Sequence, residues 1–113
     1  MKFIPSDIPD VVLVVPDVYQ DSRGFFLETF RADKYAAAGL EVTLVQNNHS
    51  GSRKGVLRGL HYQIQQAQAK IIRTIAGEIF DVAVDLRLSS STFGKWVGFM
   101  LTAENKNQLY IPE

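Results

Sequence analysis

Cysteine is absent from the 113 residues. That excludes disulfide frameworks, thiolate nucleophiles and cysteine-ligated zinc. Net charge is absent too, because 12 Lys and Arg balance 12 Asp and Glu. A balanced chain lacks the footprint of a nucleic-acid binder or of a protein held on an anionic membrane, although a local basic patch for a phosphorylated small molecule remains open. Long apolar runs are missing. Val11 to Val15 is too short to span a bilayer, and Met1-Lys-Phe-Ile-Pro-Ser-Asp7 has no signal-peptide core. These absences read as a cytoplasmic protein with neither membrane nor nucleic acid as partner. Histidine is scarce: His49 and His61 stand 12 residues apart, with Gln63 where the second ligand of a His-x-His pair would be. Metal-binding barrels commonly need two or three histidines and a carboxylate, so a metal centre fits poorly. No Gly-rich phosphate loop and no Gly-x-Ser-x-Gly elbow occurs.

What is present is the composition of one globular domain, 46% hydrophobic and 21% charged. Strand signals dominate. Val11 to Val15 is rich in β-branched residues and closed by Pro16; Asp21-Ser-Arg-Gly24 reads as a turn; Phe25 to Phe30 alternates, with Phe26, Glu28 and Phe30 on one face. Arg31 to Ala38 is the one helical stretch, stopped by Gly39. Further strands are predicted over Val42 to Gln46, Val56 to Gln63, Lys70 to Ile75, Ile79 to Leu86, Lys95 to Leu101 and from Gln108 to Pro112. About eight short strands at regular spacing predict a sandwich, barrel or jelly roll.

Three sets of residues suggest chemistry. The reference pKa of a histidine side chain lies near neutrality, so His61 suits a general base, although by spacing alone it reads first as a hydrogen-bonded structural histidine; His49, in a polar loop, reads as solvated. Asp81, Ala83 and Asp85 share a strand face, so two carboxylates point the same way. Either that face is wet, or it lines a polar pocket with Lys70, Arg58 or Arg73 as partners. Arg23, after the turn, has the fork geometry that suits phosphate.

These segments together resemble a known family. Pro16-Asp-Val-Tyr-Gln-Asp-Ser-Arg-Gly-Phe-Phe-Leu-Glu-Thr-Phe30, Gln46-Asn-Asn-His-Ser50, Gly55-Val-Leu-Arg-Gly-Leu-His-Tyr-Gln63, Gly77-Glu-Ile-Phe-Asp-Val-Ala-Val-Asp-Leu-Arg87, Thr92-Phe-Gly-Lys-Trp96 and Leu101-Thr-Ala-Glu-Asn105 are similar, in order, to the motifs of the dTDP-4-dehydrorhamnose 3,5-epimerases. The resemblance implies an all-β, cupin-type jelly roll with one short helix, working as a homodimer on a dTDP-sugar without metal or coenzyme. The implied reaction is inversion at C3 and C5 of dTDP-4-dehydro-6-deoxy-glucose, by proton abstraction next to the C4 ketone and reprotonation from the other face. His61 falls at the position of the base, and Lys70 at that of the cation which stabilises the enolate. Arg23, Glu28, Gln46, Asn47, Asn48 and Arg58 fall at positions that hold the nucleotide sugar, and Phe26 is implied to pack on its base.

Three departures qualify the carry-over. The loop from His61 to Lys70 is one residue shorter than the family pattern, with Ala69 in place of a glycine. Arg58 and His61 are three apart, so a regular strand would point them oppositely unless the chain bulges or twists near Gly59. The family pattern also continues past Ile111-Pro-Glu113 with a Gly-Phe-Ala-His-Gly-Phe-like segment, a tyrosine acid and an aspartate that orients the histidine. The expectation is therefore a single jelly-roll domain over 1–113, incomplete at its C-terminus and poorly active by itself. A non-catalytic module that binds a dTDP-sugar or dimerises is the alternative.

Overall fold

A computed structural model describes residues 1–113. In chain order it contains β1 (Lys2–Pro5), β2 (Val12–Val15), β3 (Val18–Asp21), β4 (Gly24–Leu27), α1 (Ala32–Ala37), β5 (Lys70–Arg73), β6 (Glu78–Val84), β7 (Trp96–Thr102) and β8 (Gln108–Ile111). The architecture is the predicted all-β, jelly-roll type with one short helix. Four strands form an antiparallel sheet in the order β1-β2-β8-β5, while β3-β4 and β6-β7 are separate antiparallel hairpins.

The uninterrupted apolar run of β2 reflects burial on both faces of that sheet. Val14 and Leu109 are fully enclosed, yet they belong to different apolar layers. One layer joins Leu109 to Ile8, Val11, Ala83, Val97 and Leu101, with Leu13, Ile72, Phe99 and Ile111 around them; it lies between the sheet and the β6-β7 hairpin. On the opposite face Val12, Val14 and Tyr110 pack with Tyr35 of α1. The Tyr35 ring meets Phe3 edge-on at a centroid distance of 5.0 Å and lies 4.9 Å from Phe30.

The helix ends where glycine allows it to. Gly39 takes φ +79, its N–H donates to the Ala36 carbonyl at 2.9 Å, and the Leu40 N–H donates to the Tyr35 carbonyl at 2.9 Å. This pair of bonds is a Schellman motif, and it turns Leu40 back onto the layer that holds Tyr35.

Two predicted strands do not form. Residues 42–46 and 56–63 contain neither helix nor strand, and every residue from 43 to 69 is exposed. Their β-branched and alternating residues satisfy a local preference, but a strand exists only where a neighbour completes its backbone hydrogen bonds, and no strand of this chain lies alongside them. Conversely, β1 and β3 were not predicted. Each is four residues long and is held by pairing, β1 on β2 and β3 on β4.

Candidate functional site

The β3-β4 hairpin carries Arg23, Phe26 and, just beyond it, Glu28. Asp21 and Gly24 close a two-residue loop in which Gly24 adopts φ +130. Asp21 shapes that loop by accepting the Arg23 backbone N–H at 2.8 Å, and it holds the Arg23 guanidinium through Nη2 to Oδ2 at 2.6 Å. This contact draws the Asp21 carboxyl below its ordinary range. Tyr19, Arg23, Phe25 and Phe26 line a shallow hollow of about 360 Å³ on the hairpin, and Phe26 is largely exposed in it. Glu28 is turned away from the tip: Lys34 Nζ stands 2.7 Å from Oε1, with Arg31 at 3.8 Å from Oε2.

Gln46, Asn47, Asn48, Arg58 and His61 all lie on the exposed stretch. Gln46 Nε2 donates to Asn48 Oδ1 at 3.2 Å. Arg58 folds back on the preceding loop, donating to Ser52 Oγ at 3.0 Å and to the Gly51 carbonyl at 2.9 Å. The backbone turns sharply at Gly59, which has φ +104. The strict alternation that would oppose Arg58 and His61 is therefore broken there. His61 is exposed and its ring makes no hydrogen bond with the protein. Lys70, the first residue of β5, pairs in register with Ile111 and is likewise exposed.

The structure thus brings Gln46 to Asn48 and places Arg23 with Phe26, but it does not gather these residues with His61 and Lys70 into one enclosed pocket. Another hollow, of about 450 Å³, lies elsewhere, between Ile4, Pro5, Asp7, Trp96 and Phe99. No three His, Asp or Glu side chains converge as metal ligands would, and no helix is long and apolar enough to cross a membrane.

Asp81 of β6 and Asp85, just beyond its end, part company. Asp85 accepts from Arg87, Ser90 and Thr92, which holds it well below the ordinary carboxylate range. Asp81, opposite Phe99, makes no hydrogen bond or ion pair, and burial pushes its carboxyl above that range. Neither pairs with Lys70, Arg58 or Arg73; the partner of Asp85 is Arg87, which the alternation of a single strand could not reveal.

Comparison with known proteins adds a chain-long match. The family model for dTDP-4-dehydrorhamnose 3,5-epimerase covers residues 5–113. The dTDP-4-dehydrorhamnose 3,5-epimerase of Shigella flexneri is 57% identical over 115 residues, covering 100% of this chain and 64% of that protein. Its counterpart in Pseudomonas aeruginosa is 57% identical over 113 residues, covering 99% of this chain and 62% of that protein. Among solved structures, the dTDP-6-deoxy-D-glucose-3,5-epimerase of Legionella pneumophila, in complex with dTDP-4-keto-L-rhamnose, superimposes with a TM-score of 0.95 at 51% identity, over 99% of this chain and 60% of that one. A 3'-monoepimerase from Streptomyces bikiniensis, in complex with dTDP-quinovose, has a TM-score of 0.88 at 34% identity, over 96% of this chain and 56% of that one. The chain therefore spans less than two thirds of the length of these relatives.

Proposed function

The chain belongs to the dTDP-4-dehydrorhamnose 3,5-epimerase family, and on that premise we propose that it serves the epimerisation of a dTDP-linked 4-keto-6-deoxy sugar, as a cytoplasmic homodimer. The observation that carries this reading is the family match over residues 5–113; His61 and Lys70, which the motif resemblance puts at the positions of the base and the cation, are the residues proposed to do the chemistry.

The chemistry asks little more of the protein than those two groups and a face-selective acid. His61 removes the proton from a carbon next to the C4 ketone. The electron pair of the broken C–H bond moves toward the ketone oxygen, which gains negative charge. Lys70, as an ammonium ion, interacts more strongly with that enolate than with the ground-state ketone, and the difference lowers the barrier. Return of a proton to the opposite face of the same carbon completes the inversion. Arg23 and Arg58 supply forks suited to the diphosphate, and Gln46, Asn47, Asn48 and Glu28 supply hydrogen-bonding groups. Exposure of Leu44, Val45, Val56, Leu57, Leu60, Tyr62 and Ile64 along one stretch supports a second copy as a covering partner.

Calorimetric titration with dTDP, followed by deuterium uptake from solvent at C3 and C5 of the keto sugar, tests the proposal. Binding of dTDP together with His61-dependent uptake supports it; a chain that binds no dTDP overturns it. One observation favours a second reading, binding without turnover: the exposed His61 ring has no hydrogen-bond partner in the protein to orient it. That reading expects dTDP to bind while deuterium does not enter. Sedimentation analysis checks the dimer.

A further inference from the structure

We propose that Asp81 is an additional substrate-site residue, a carboxyl group on the inner wall of the fold that accepts a hydrogen bond from a hydroxyl of the sugar ring. The inference rests on the epimerase reading above. Its geometry comes from the layer between the four-stranded sheet and the β6-β7 hairpin.

On the hairpin, Ala83, Val97 and Leu101 are buried in that layer, and Phe99 packs against them. Asp81 is two residues from Ala83 and directly opposite Phe99, so its side chain leaves the same inward face. On the facing sheet, Ile72 and Ile111 pack against the same layer. Lys70 is two residues from Ile72 and directly opposite Ile111, so it leaves from the same face of the sheet, at the exposed margin of that layer. The cation of the proposed reaction and the Asp81 carboxyl are thus carried by the two walls of one layer.

A carboxylate there is costly unless something compensates it, and an aliphatic residue would fill the place at lower cost. Asp85, the other acidic residue of this alternation, is compensated by three side chains. Asp81 has no such partner, and burial alone raises its affinity for a proton. A second polar group on the β5 side is in the same condition. Thr74, which continues the alternation of Lys70 and Ile72, has a buried hydroxyl without a hydrogen-bond partner.

The charge of Asp81 selects the half of the ligand it serves. An acidic side chain repels a diphosphate, whereas a neutral ring bearing hydroxyl donors satisfies it. Asp81 is therefore assigned to the sugar and not to the nucleotide.

The test compares binding of dTDP with binding of dTDP-glucose, by calorimetry, for the wild-type chain, Asp81→Leu and Asp81→Asn. The leucine variant replaces the carboxylate with an apolar side chain of similar size, and asparagine keeps one acceptor oxygen. The expected result is unchanged dTDP affinity in all three. The additional affinity conferred by the glucose should fall about tenfold or more in Asp81→Leu and by less in Asp81→Asn. Retention of that increment in a folded Asp81→Leu overturns the proposal. Equal weakening of both ligands also overturns it, because that is the signature of a purely structural residue. A wild-type chain that binds dTDP but gains nothing from the sugar defeats the Asp81 assignment alone, whereas one that binds neither defeats the epimerase reading and this inference with it.

Discussion

The Arg87 guanidinium meets the Asp85 carboxylate side-on, with Nε 3.0 Å from Oδ1 and Nη2 3.0 Å from Oδ2. The remaining capacity of Asp85 is taken by Ser90 Oγ and Thr92 Oγ1, each at 2.6 Å, and Arg87 Nη1 reaches Asp10 at 2.7 Å. One buried carboxylate thereby organises the β6-β7 connection and ties it to the turn before β2.

Removing that carboxylate should destabilise the fold without touching the proposed site. Asp85→Asn is expected to cost about 2–3 kcal/mol in denaturant unfolding, because Arg87 loses its partner and two hydroxyls lose an ionised acceptor. The pH dependence has a definite sign. Asp85 has a folded pKa below its unfolded one, so its contribution is complete above the ordinary carboxylate range and is lost as pH falls through and below about 4. Wild type should therefore lose more stability than Asp85→Asn on acidification, and equal losses would contradict the assignment.

Tyr35 offers a test of the opposite sign. Its ring is fully enclosed, its hydroxyl has no hydrogen-bond partner, and burial pushes its pKa up to about 12. The folded state thus holds the phenolic proton more tightly than the unfolded state. The corresponding stability is complete below pH 10 and is lost as pH rises toward 12. Tyr35→Phe should be neutral or slightly stabilising at pH 7 and should flatten the alkaline limb of the melting curve, whereas Tyr35→Ala should cost about 3–5 kcal/mol.

Arg23 is engaged by Asp21 in the absence of any anion. If Arg23 holds the diphosphate as proposed, the ligand competes with that carboxylate, so Asp21→Asn should tighten dTDP binding by a factor of about two to five at low salt. Arg23→Ala should weaken it about tenfold or more. Calorimetry at two ionic strengths separates these effects, since the gain from Asp21→Asn should shrink as salt rises.

Gly98 stands across from Val82, and the Phe80 ring folds over it. A Cβ at Gly98 would collide with that ring, approaching its Cε2 to 2.9 Å. Gly98→Ala should cost about 1 kcal/mol or more, and Phe80→Leu in the same chain should recover most of the loss. Thermal melts of the single and double variants decide this. Additive losses would show that the ring is not the obstacle.

Much of this was legible beforehand, and the exceptions share a cause. The helix could be read from Ala36-Ala-Ala38 and Gly39, because helical hydrogen bonds and caps are local. Strands β2, β5, β6, β7 and β8 could be read from β-branched runs whose pairing partners lie within the chain. Residues 42–46 and 56–63 carry equally good local signals and no partner, while β1 and β3 carry weak signals and good partners. Strand propensity is a property of a segment; a strand is a property of two.

The same division holds for the site. Sequence by itself determined the family, the identities of His61, Lys70, Arg23 and Arg58 as the residues to test, and the shared face of Asp81 and Asp85, because motif order and period-two alternation are written along one chain. Only the tertiary structure decided that those two aspartates differ. The backbone bonds from Asp85 N–H to the Lys95 carbonyl at 2.9 Å and from Gly94 N–H to the Asp85 carbonyl at 2.8 Å close the loop that delivers Arg87, Ser90 and Thr92 to one carboxylate. The other is left facing the core layer alone, since whether a charge is compensated depends on what folding brings beside it.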